Sequence, residues 1–263
     1  MSPDVLLPWF APKLSQAVSR VVQSLGRRAV LERGQTLNSS LFFNRLVYVH
    51  DGLLAQGVIN PGGSRLFMLT LSAQGSFGAT AGAVDAVDNL PRRYWAATHC
   101  EVLTLMPEIV LSLSEVDERL NHELASYALR HAMSERLGLM VTQAGSIEER
   151  LGVFCTSLLA AQGKYAPDKS KASRQRWVAS RVLPSRKLIT ALLAARGEEI
   201  NDVVHRWASQ GVLRWINGEF ALEAELLDHY WQWMQPFVRM HEDMVPMSAK
   251  ATVFDRLELD LKR

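Results

Sequence analysis

The stretch SRKLITALLAARGEEINDVVHRWASQGVLRWINGEFAL, Ser185 to Leu222, decides how the chain is read. Leu188, Ile189, Leu192 and Leu193 share one face of a helix spanning Ser185 to Ala195. Arg196-Gly197 turns the chain. A second helix, Glu198 to Gln210, then buries Ile200, Val203, Val204 and Trp207 at helical spacing. Gly211 stops it, and Val212–Trp215, Ile216-Asn217-Gly218 and Glu219–Leu222 read as a small hairpin. Helix, tight turn, helix and two-stranded wing is the order of a winged helix-turn-helix.

Outward from that unit the period changes twice. Ser146-Ile147-Glu148-Glu149 is a capping box opening a helix through Leu151, Phe154, Leu158 and Leu159 to Gly163. The segment Lys164–Arg176 is polar and basic, a loop or a short ribbon. Upstream, Val116, Leu120, Leu124, Tyr127, Met133, Leu137, Met140, Val141 and Ala144 form an apolar stripe interrupted by His131. Its three-four spacing is that of a coiled-coil seam. Such a helix either caps a domain or pairs with its copy, and two-fold symmetry favours pairing. Glu108 to Leu113 reads as a short helix. From Ala29 to Leu105, short apolar runs alternate with Asp51-Gly52, Asn60-Pro61-Gly62-Gly63, Gly75, Gly78 and Gly82, the pattern of a β-barrel, roll or sandwich. The clearest hairpin is Leu53–Leu71. The first 30 residues read as helical on Leu14, Val18, Val21, Val22 and Leu25, with Gly26 as stop. Ala224–Arg263 reads as an amphipathic helix carrying Trp231, Trp233 and Phe237, then a charged tail. The expected class is α+β, in segments 1–28, 29–113, 114–145, 146–223 and 224–263.

Composition narrows the function. In 263 residues the chain holds two cysteines, Cys100 and Cys155, too few for a disulfide framework, a four-cysteine zinc site or an iron–sulfur cage. No apolar stretch approaches the ~18 residues of a membrane span. MSPDVLLPWFAPKLSQ lacks the basic n-region and apolar run of a secretory signal, so a cytoplasmic chain without a membrane partner is expected. The net charge of +2 hides an asymmetry. Lys164–Arg214 carries 11 basic and 4 acidic residues, net +7, against −1 for residues 1–163 and −4 for 215–263. A basic region coinciding with the helix-turn-helix is the footprint of phosphate contact. Gly75-x-x-Gly78-x-x-x-Gly82 lacks the Gly-Lys-Ser/Thr of a P-loop, the seven histidines show no ligand spacing, and no nucleophile elbow occurs. No enzyme and no metal site are expected.

In order and motif the chain resembles the bacterial Crp/Fnr transcription regulators. Val49-His50-Asp51-Gly52 is similar to the family's strand-end turn, and Gly75-Ser76-Phe77-Gly78 to the glycine motif opening its phosphate-binding cassette. Ala96-Ala97-Thr98-His99-Cys100-Glu101-Val102 resembles its closing strand, and Ile147-Glu148-Glu149-Arg150-Leu151 its hinge-helix start. The resemblance spans residues 28–222. It implies a cyclic-nucleotide-binding-like β-roll of jelly-roll type, a long dimerisation helix, a winged helix-turn-helix and an extra helical tail. It further implies double-stranded DNA, a second copy of the chain and RNA polymerase as partners, with a hinge near Gly145.

Site residues follow from the same resemblance. DNA contact falls to Ser185, Arg186, Lys187, Arg196, Glu198, Glu199, Asn201, Asp202, His205 and Arg206. Arg186 takes the phosphate-clamping position, and Glu198 the position that accepts from a cytosine amino group. The family's flanking guanine-reading arginines are Gly197 and Asp202 here, which removes any inference about the target sequence. The effector site would lie at Gly75, Phe77, Gly78, Ala79, Thr80, Arg92 and Arg93. Ala79 replaces the glutamate that holds the ribose of cyclic AMP, so cyclic AMP is not expected, although Arg92 or Arg93 could meet a phosphate. No cysteine precedes Cys100 and nothing marks a haem ligand, so no cofactor is expected. The dimer interface would be Val116, Leu120, Leu124, Tyr127, His131, Leu137, Met140 and Val141. The rival reading is a protein-interaction adaptor that kept the fold and lost DNA, suggested by the acidic second helix.

Overall fold

A computed structural model describes residues 5–37, 45–59, 66–79, 92–167, 175–217 and 219–243. In chain order the elements are α1 (Gln16–Leu25), β1 (Arg27–Leu31), β2 (Leu46–Asp51), β3 (Leu54–Ile59), β4 (Leu66–Ser72), β5 (Phe77–Ala79), β6 (Arg92–Ala96) and β7 (Cys100–Leu105). Then come α2 (Pro107–Val116), α3 (Glu118–Ala144), α4 (Ile147–Ala161), β8 (Trp177–Ser180), α5 (Arg186–Leu192), α6 (Gly197–Ser209), β9 (Leu213–Ile216), β10 (Glu219–Glu223) and α7 (Ala224–Asp243).

Strands β1 to β7 make two antiparallel sheets, in the orders β1-β7-β2-β5 and β4-β3-β6. The expected hairpin is present: β3 pairs with β4 from Leu54↔Ser72 to Ile59↔Leu66. Val47 and Val49 of one sheet share a core with Leu54 and Ala96 of the other. Gly78 allows their close approach, since a Cβ there would lie 2.2 Å from Leu54 Cδ2. A third sheet, β8-β10-β9, belongs to the C-terminal half. Its outer strand β8 follows directly after the polar, basic stretch Lys164–Arg176 and was not recognised from the sequence.

Residues 5–14 are not helical, contrary to the helical reading of the first 30 residues. Pro8 and Pro12 withhold two backbone donors and exclude a helix there. The segment instead runs as a strap. Ala11 N–H donates to Leu71 O at 2.8 Å and Leu71 N–H to Trp9 O at 2.7 Å, so the strap is stitched to β4. Trp9 and Phe10 are buried and both meet the Phe154 ring of α4, at centroid distances of 6.4 and 6.1 Å. Helix α1 begins at Ser15, whose hydroxyl accepts from Val18 N–H, and it buries Val18 and Val22.

The stripe on the long helix also faces elsewhere than expected. Leu120, Leu124, Tyr127, His131, Leu137 and Val141 are buried within the chain itself. Leu120, Leu124 and Tyr127 join α1, β2 and β5 in one cluster, Leu137 meets Leu6 and Val238, and Val141 joins the main core. Val116 ends α2 and is 88% exposed, and Met140 is half-buried. A helix lying on its own domain needs an inward apolar stripe just as a coiled coil does, so spacing could not separate the two. The outward face of α3 instead carries Ala125, Leu129, Ala132, Arg136, Leu139 and Gln143, again at three-four spacing.

One core cluster runs from Leu53 and Leu71 in the sheets, through Trp9 and Phe10, to α4 and on to Trp207, Leu222 and Tyr230. Buried apolar surface that is shared cannot be exposed by one part without loosening the other. The chain is therefore expected to unfold in one calorimetric transition, and Phe154→Ala to lower that single transition by about 3–5 kcal/mol. Two separate transitions, only one of them moved by the substitution, would contradict the shared core.

Candidate nucleic-acid interface

The candidate interface is built on α5 and α6. Ser185 caps α5, its hydroxyl accepting from Leu188 N–H at 3.3 Å. The turn that follows places Ala194 in the left-handed region at φ 48°. Helix α6 starts on a cap made by Glu199: Arg196 N–H donates to Glu199 Oε2 at 2.7 Å, and Arg196 Nη2 donates to Glu199 Oε1 at 3.1 Å. Gly197 has a steric role, because a Cβ there would lie 2.7 Å from Arg186 Nη2. The Arg186 guanidinium thus lies over the first turn of α6.

Ile200, Val203 and Trp207 form the buried face of α6. The Trp207 indole N–H donates to Glu148 Oε1 at 2.9 Å, and Arg206 Nη2 pairs with Glu148 Oε2 at 3.0 Å. Glu148 thereby ties α6 to the first turn of α4. Glu198, Asp202 and His205 are exposed on the opposite face, with Asn201 half-buried beside them. Arg186, Lys187 and Arg196 are exposed at the same end, with the half-buried Ser185. The structure therefore brings nine of the ten expected contact residues around one solvent face of α6 and its N-terminal end, though Glu199 is committed to the cap. Arg206 is the exception, being turned onto α4.

Helix α4 is capped as its sequence implies, with Ser146 N–H donating to Glu149 Oε2 at 2.7 Å and Glu149 N–H to Ser146 Oγ at 3.3 Å. Arg150 Nε donates to Gly145 O at 2.8 Å and Nη1 to Leu193 O at 3.2 Å, joining the α3–α4 break to the end of α5. These roles of Glu148 and Arg150 were missed. Their only sequence signal was three consecutive charges opening an otherwise apolar helix.

In the wing, β9 pairs with β10 from Leu213↔Leu222 to Ile216↔Glu219, and Asn217, which follows β9, adopts φ 52°. Trp215 is 66% exposed on it, and the Arg214 guanidinium lies 3.2 Å from the centre of the Trp177 ring. Arg181 pairs with Glu219 at 2.7 Å and Arg176 with Glu223 at 3.0 Å. The positive excess of the 164–214 stretch is thus partly neutralised in space by glutamates that follow it in sequence.

The expected effector residues lie among packing contacts. Gly75 turns at φ 92°, and Phe77 is buried edge-on against Tyr127, with ring centroids 5.5 Å apart. Phe77 N–H donates to Tyr127 Oη at 3.1 Å, and the Tyr127 hydroxyl to Phe77 O at 3.2 Å. Ala79 belongs to the core between the sheets. Arg92 and Arg93 lie on β6, half-buried and exposed respectively. Thr80 lies outside the described residues. Burial pushes the Cys155 thiol up to about 12 and raises that of Cys100, so both stay protonated at neutral pH. Among the described residues no group of histidine, cysteine or carboxylate side chains could hold a metal ion, and no helix is long and apolar enough to cross a membrane.

No family model matches the chain, and no curated protein matches it in sequence. Solved structures do match in fold. FixK2 from Bradyrhizobium japonicum superposes with a TM-score of 0.60 at 13% identity, over 78% of this chain and 97% of its own. A CooA variant from Carboxydothermus hydrogenoformans gives 0.54 at 12% identity, over 85% and 92%. A protein from Eubacterium rectale assigned to the Crp/Fnr transcriptional regulators gives 0.53 at 10%, over 83% and 95%. The chain has the Crp/Fnr fold. The likeness covers more than nine-tenths of each of these chains.

The caps give this unit an acid limit. Burial opposes ionisation of Glu149, but hydrogen bonds from the Ser146 backbone and side chain and from Trp233 outweigh it, and its carboxyl sits below the ordinary 4.5. A depressed carboxyl contributes stability that is complete above the unfolded value and lost as pH falls through the folded one. The melting temperature is therefore expected to decline below about pH 4.5, and Glu149→Gln to lower it at pH 7 while flattening that decline. An unchanged acid limb in the variant would contradict this assignment.

Proposed function

We propose that the chain is a sequence-specific DNA-binding transcriptional regulator of the Crp/Fnr type, cytoplasmic and without catalytic activity, acting on double-stranded DNA as a homodimer. The observation that carries the reading is the solvent face of α6, framed by Ser185, Arg186 and Lys187 at the start of α5. With the wing of β9 and β10, these two helices make a winged helix-turn-helix whose second helix is free to enter a major groove. Arg186 and Lys187 would meet phosphates, and Asn201 and His205 would meet base edges beside Glu198 and Asp202. RNA polymerase is a further partner on the same reading.

The dimer would form through the outward face of α3 rather than its inward stripe. Leu129 and Leu139 are 39% and 44% exposed there, flanked by Ala125 and Ala132, whose small side chains let a second helix approach. Leu129→Glu is expected to halve the mass measured by sedimentation equilibrium with the helical signal intact. An unchanged mass would place the contact elsewhere.

The sheets would serve as a β-roll that has lost the family's cyclic AMP chemistry, because Ala79 offers no polar group and packs between the sheets. They act as a degenerate sensor or receive another effector. The adaptor reading retains one specific support: Glu198 and Asp202 make the exposed face of α6 acidic, while Arg196 and Arg206 are neutralised by Glu199 and Glu148. Binding to genomic fragments across a salt series separates the two. A regulator loses affinity steeply as salt rises, because phosphate contacts release counterions. Arg186→Ala is expected to weaken binding about tenfold and to lower the salt slope by about 1. No binding at any salt concentration would favour the adaptor.

A further inference from the structure

Helix α3 ends at Gly145 and α4 begins at Ser146, both in extended conformation, so the long helix meets the C-terminal half through a two-residue break. Two segments outside the helix-turn-helix cross that break. Helix α7 leaves the wing and packs on both α4 and α3. Near its start, Tyr230 fills the notch at Gly152, where a Cβ would lie 2.2 Å from the ring. One turn later Trp233 covers the break itself: its Cη2 would lie 3.2 Å from a Cβ on Gly145, and its side chain hydrogen-bonds Glu149. Beyond Pro236, Val238 is buried against Leu137 of α3 and Leu6 of the strap. The strap bridges as well. Trp9 occupies the notch at Gly138 of α3, where a Cβ would lie 2.6 Å from its ring, and the same ring meets Phe154 of α4.

We infer that α7 and the strap are splints across the α3–α4 break, and that Tyr230, Trp233 and Trp9 are positioning residues that hold α6 at a fixed angle to α3. The inference deepens the DNA-binding reading, since it makes α6 a reader with a preset orientation, but the fixed angle itself is independent of DNA. Helix α7 grips α4 with Tyr230 and α3 with Val238, while Trp9 of the strap touches both helices at once. Bending at Gly145-Ser146 would have to pull a ring out of a glycine notch. Arg150 adds a polar tie, holding Gly145 O and Leu193 O together. Pro236 lies between the α4-gripping and α3-gripping parts of α7, where its missing N–H lets the helix follow the angle between the two.

The test is a distance measurement on the full chain. Spin labels at Arg119→Cys on α3 and Ser209→Cys on α6 occupy exposed positions, whereas Cys100 and Cys155 are buried and stay in place. Labelled chain is diluted into unlabelled chain so that distances within one protomer are read. The unaltered chain is expected to give one narrow peak, identical with and without DNA. Gly152→Ala, which drives a methyl into the Tyr230 ring without opening a cavity, should broaden the peak into several. Tryptic cutting after Arg150 should become about tenfold faster in the same variant. Trp233→Ala, at a half-buried position, should do the same and replaces Gly152→Ala if that variant fails to fold. Leu105→Ala, which loosens the sheet core away from both splints, should keep the single peak. A broad distribution in the unaltered chain, or a narrow one in both splint variants, would overturn the inference. A narrow peak released by the splint variants in a chain that binds no DNA would leave the splints standing and defeat the regulator reading instead.

Discussion

Helix α4 has no solvent face between Leu151 and Ala161: all eleven residues are buried. A helix apolar on every side must be walled in on every side, and most of the structure is arranged to do so. The strap supplies Trp9 and Phe10, α7 supplies Tyr230 and Met234, and α6 supplies Trp207, while β8 packs on the remaining flank. Gly152 is the point where the wall comes closest, and any side chain larger than hydrogen there displaces an aromatic ring. Two segments that the helix-turn-helix order does not require, the strap and α7, are thus made necessary by one helix.

Much of this was legible in sequence wherever a local rule fixes the structure. Ser146 with Glu149 announced a cap, Val212–Leu222 a small hairpin, and the Ala29–Leu105 glycines a set of strands, because each rests on backbone chemistry within a few residues. The candidate reading face was legible for the same reason: Ile200, Val203 and Trp207 bury one side of α6, so Glu198 and Asp202 must lie on the other. What spacing cannot supply is the identity of the partner surface. The stripe of Leu120, Leu124 and Tyr127 has the period of a seam, yet its partners are α1, β2 and β5 of the same chain. The helical reading of the first 30 residues fails at the strap: the spacing from Leu14 to Leu25 does not extend to it, and its apolar residues pack one by one on different elements.

Charge shows the same limit in another form. Divided by position in sequence, the 164–214 stretch is strongly basic and the segment after it acidic. In space, Glu219 and Glu223 of the acidic segment sit against Arg181 and Arg176 of the basic one. Glu148, from the helix before both, neutralises Arg206. Among the described residues, Arg186 and Lys187 at the start of α5 remain exposed cations that a phosphate backbone would meet. Exposed ion pairs contribute little stability, but they decide which cations are available to a polyanion. A basic stretch is evidence for nucleic acid only to the extent that its charges lack neighbours of opposite sign.

The shared core also bears on how a signal could pass between the sheets and α6. In a protein of separate domains, an effector reorients a reader by biasing a loose hinge. Here Phe154 stacks on Phe10, Phe10 bridges to Leu71 of β4, and Trp207 lies in the same cluster, so the sheets and α6 share one packed core. A packed core has few alternative arrangements and resists continuous deformation. An effector that shifts α6 must then bind an alternative packing in which at least one aromatic has left its notch, and its differential affinity must exceed the burial energy of that ring. Burying a large apolar side chain is worth about 1.5–3 kcal/mol, so the differential has to exceed roughly tenfold before the alternative packing becomes the major one. Ligands of the sheets with a smaller differential would leave α6 mostly where it is, and a larger one or removal of a splint would release it.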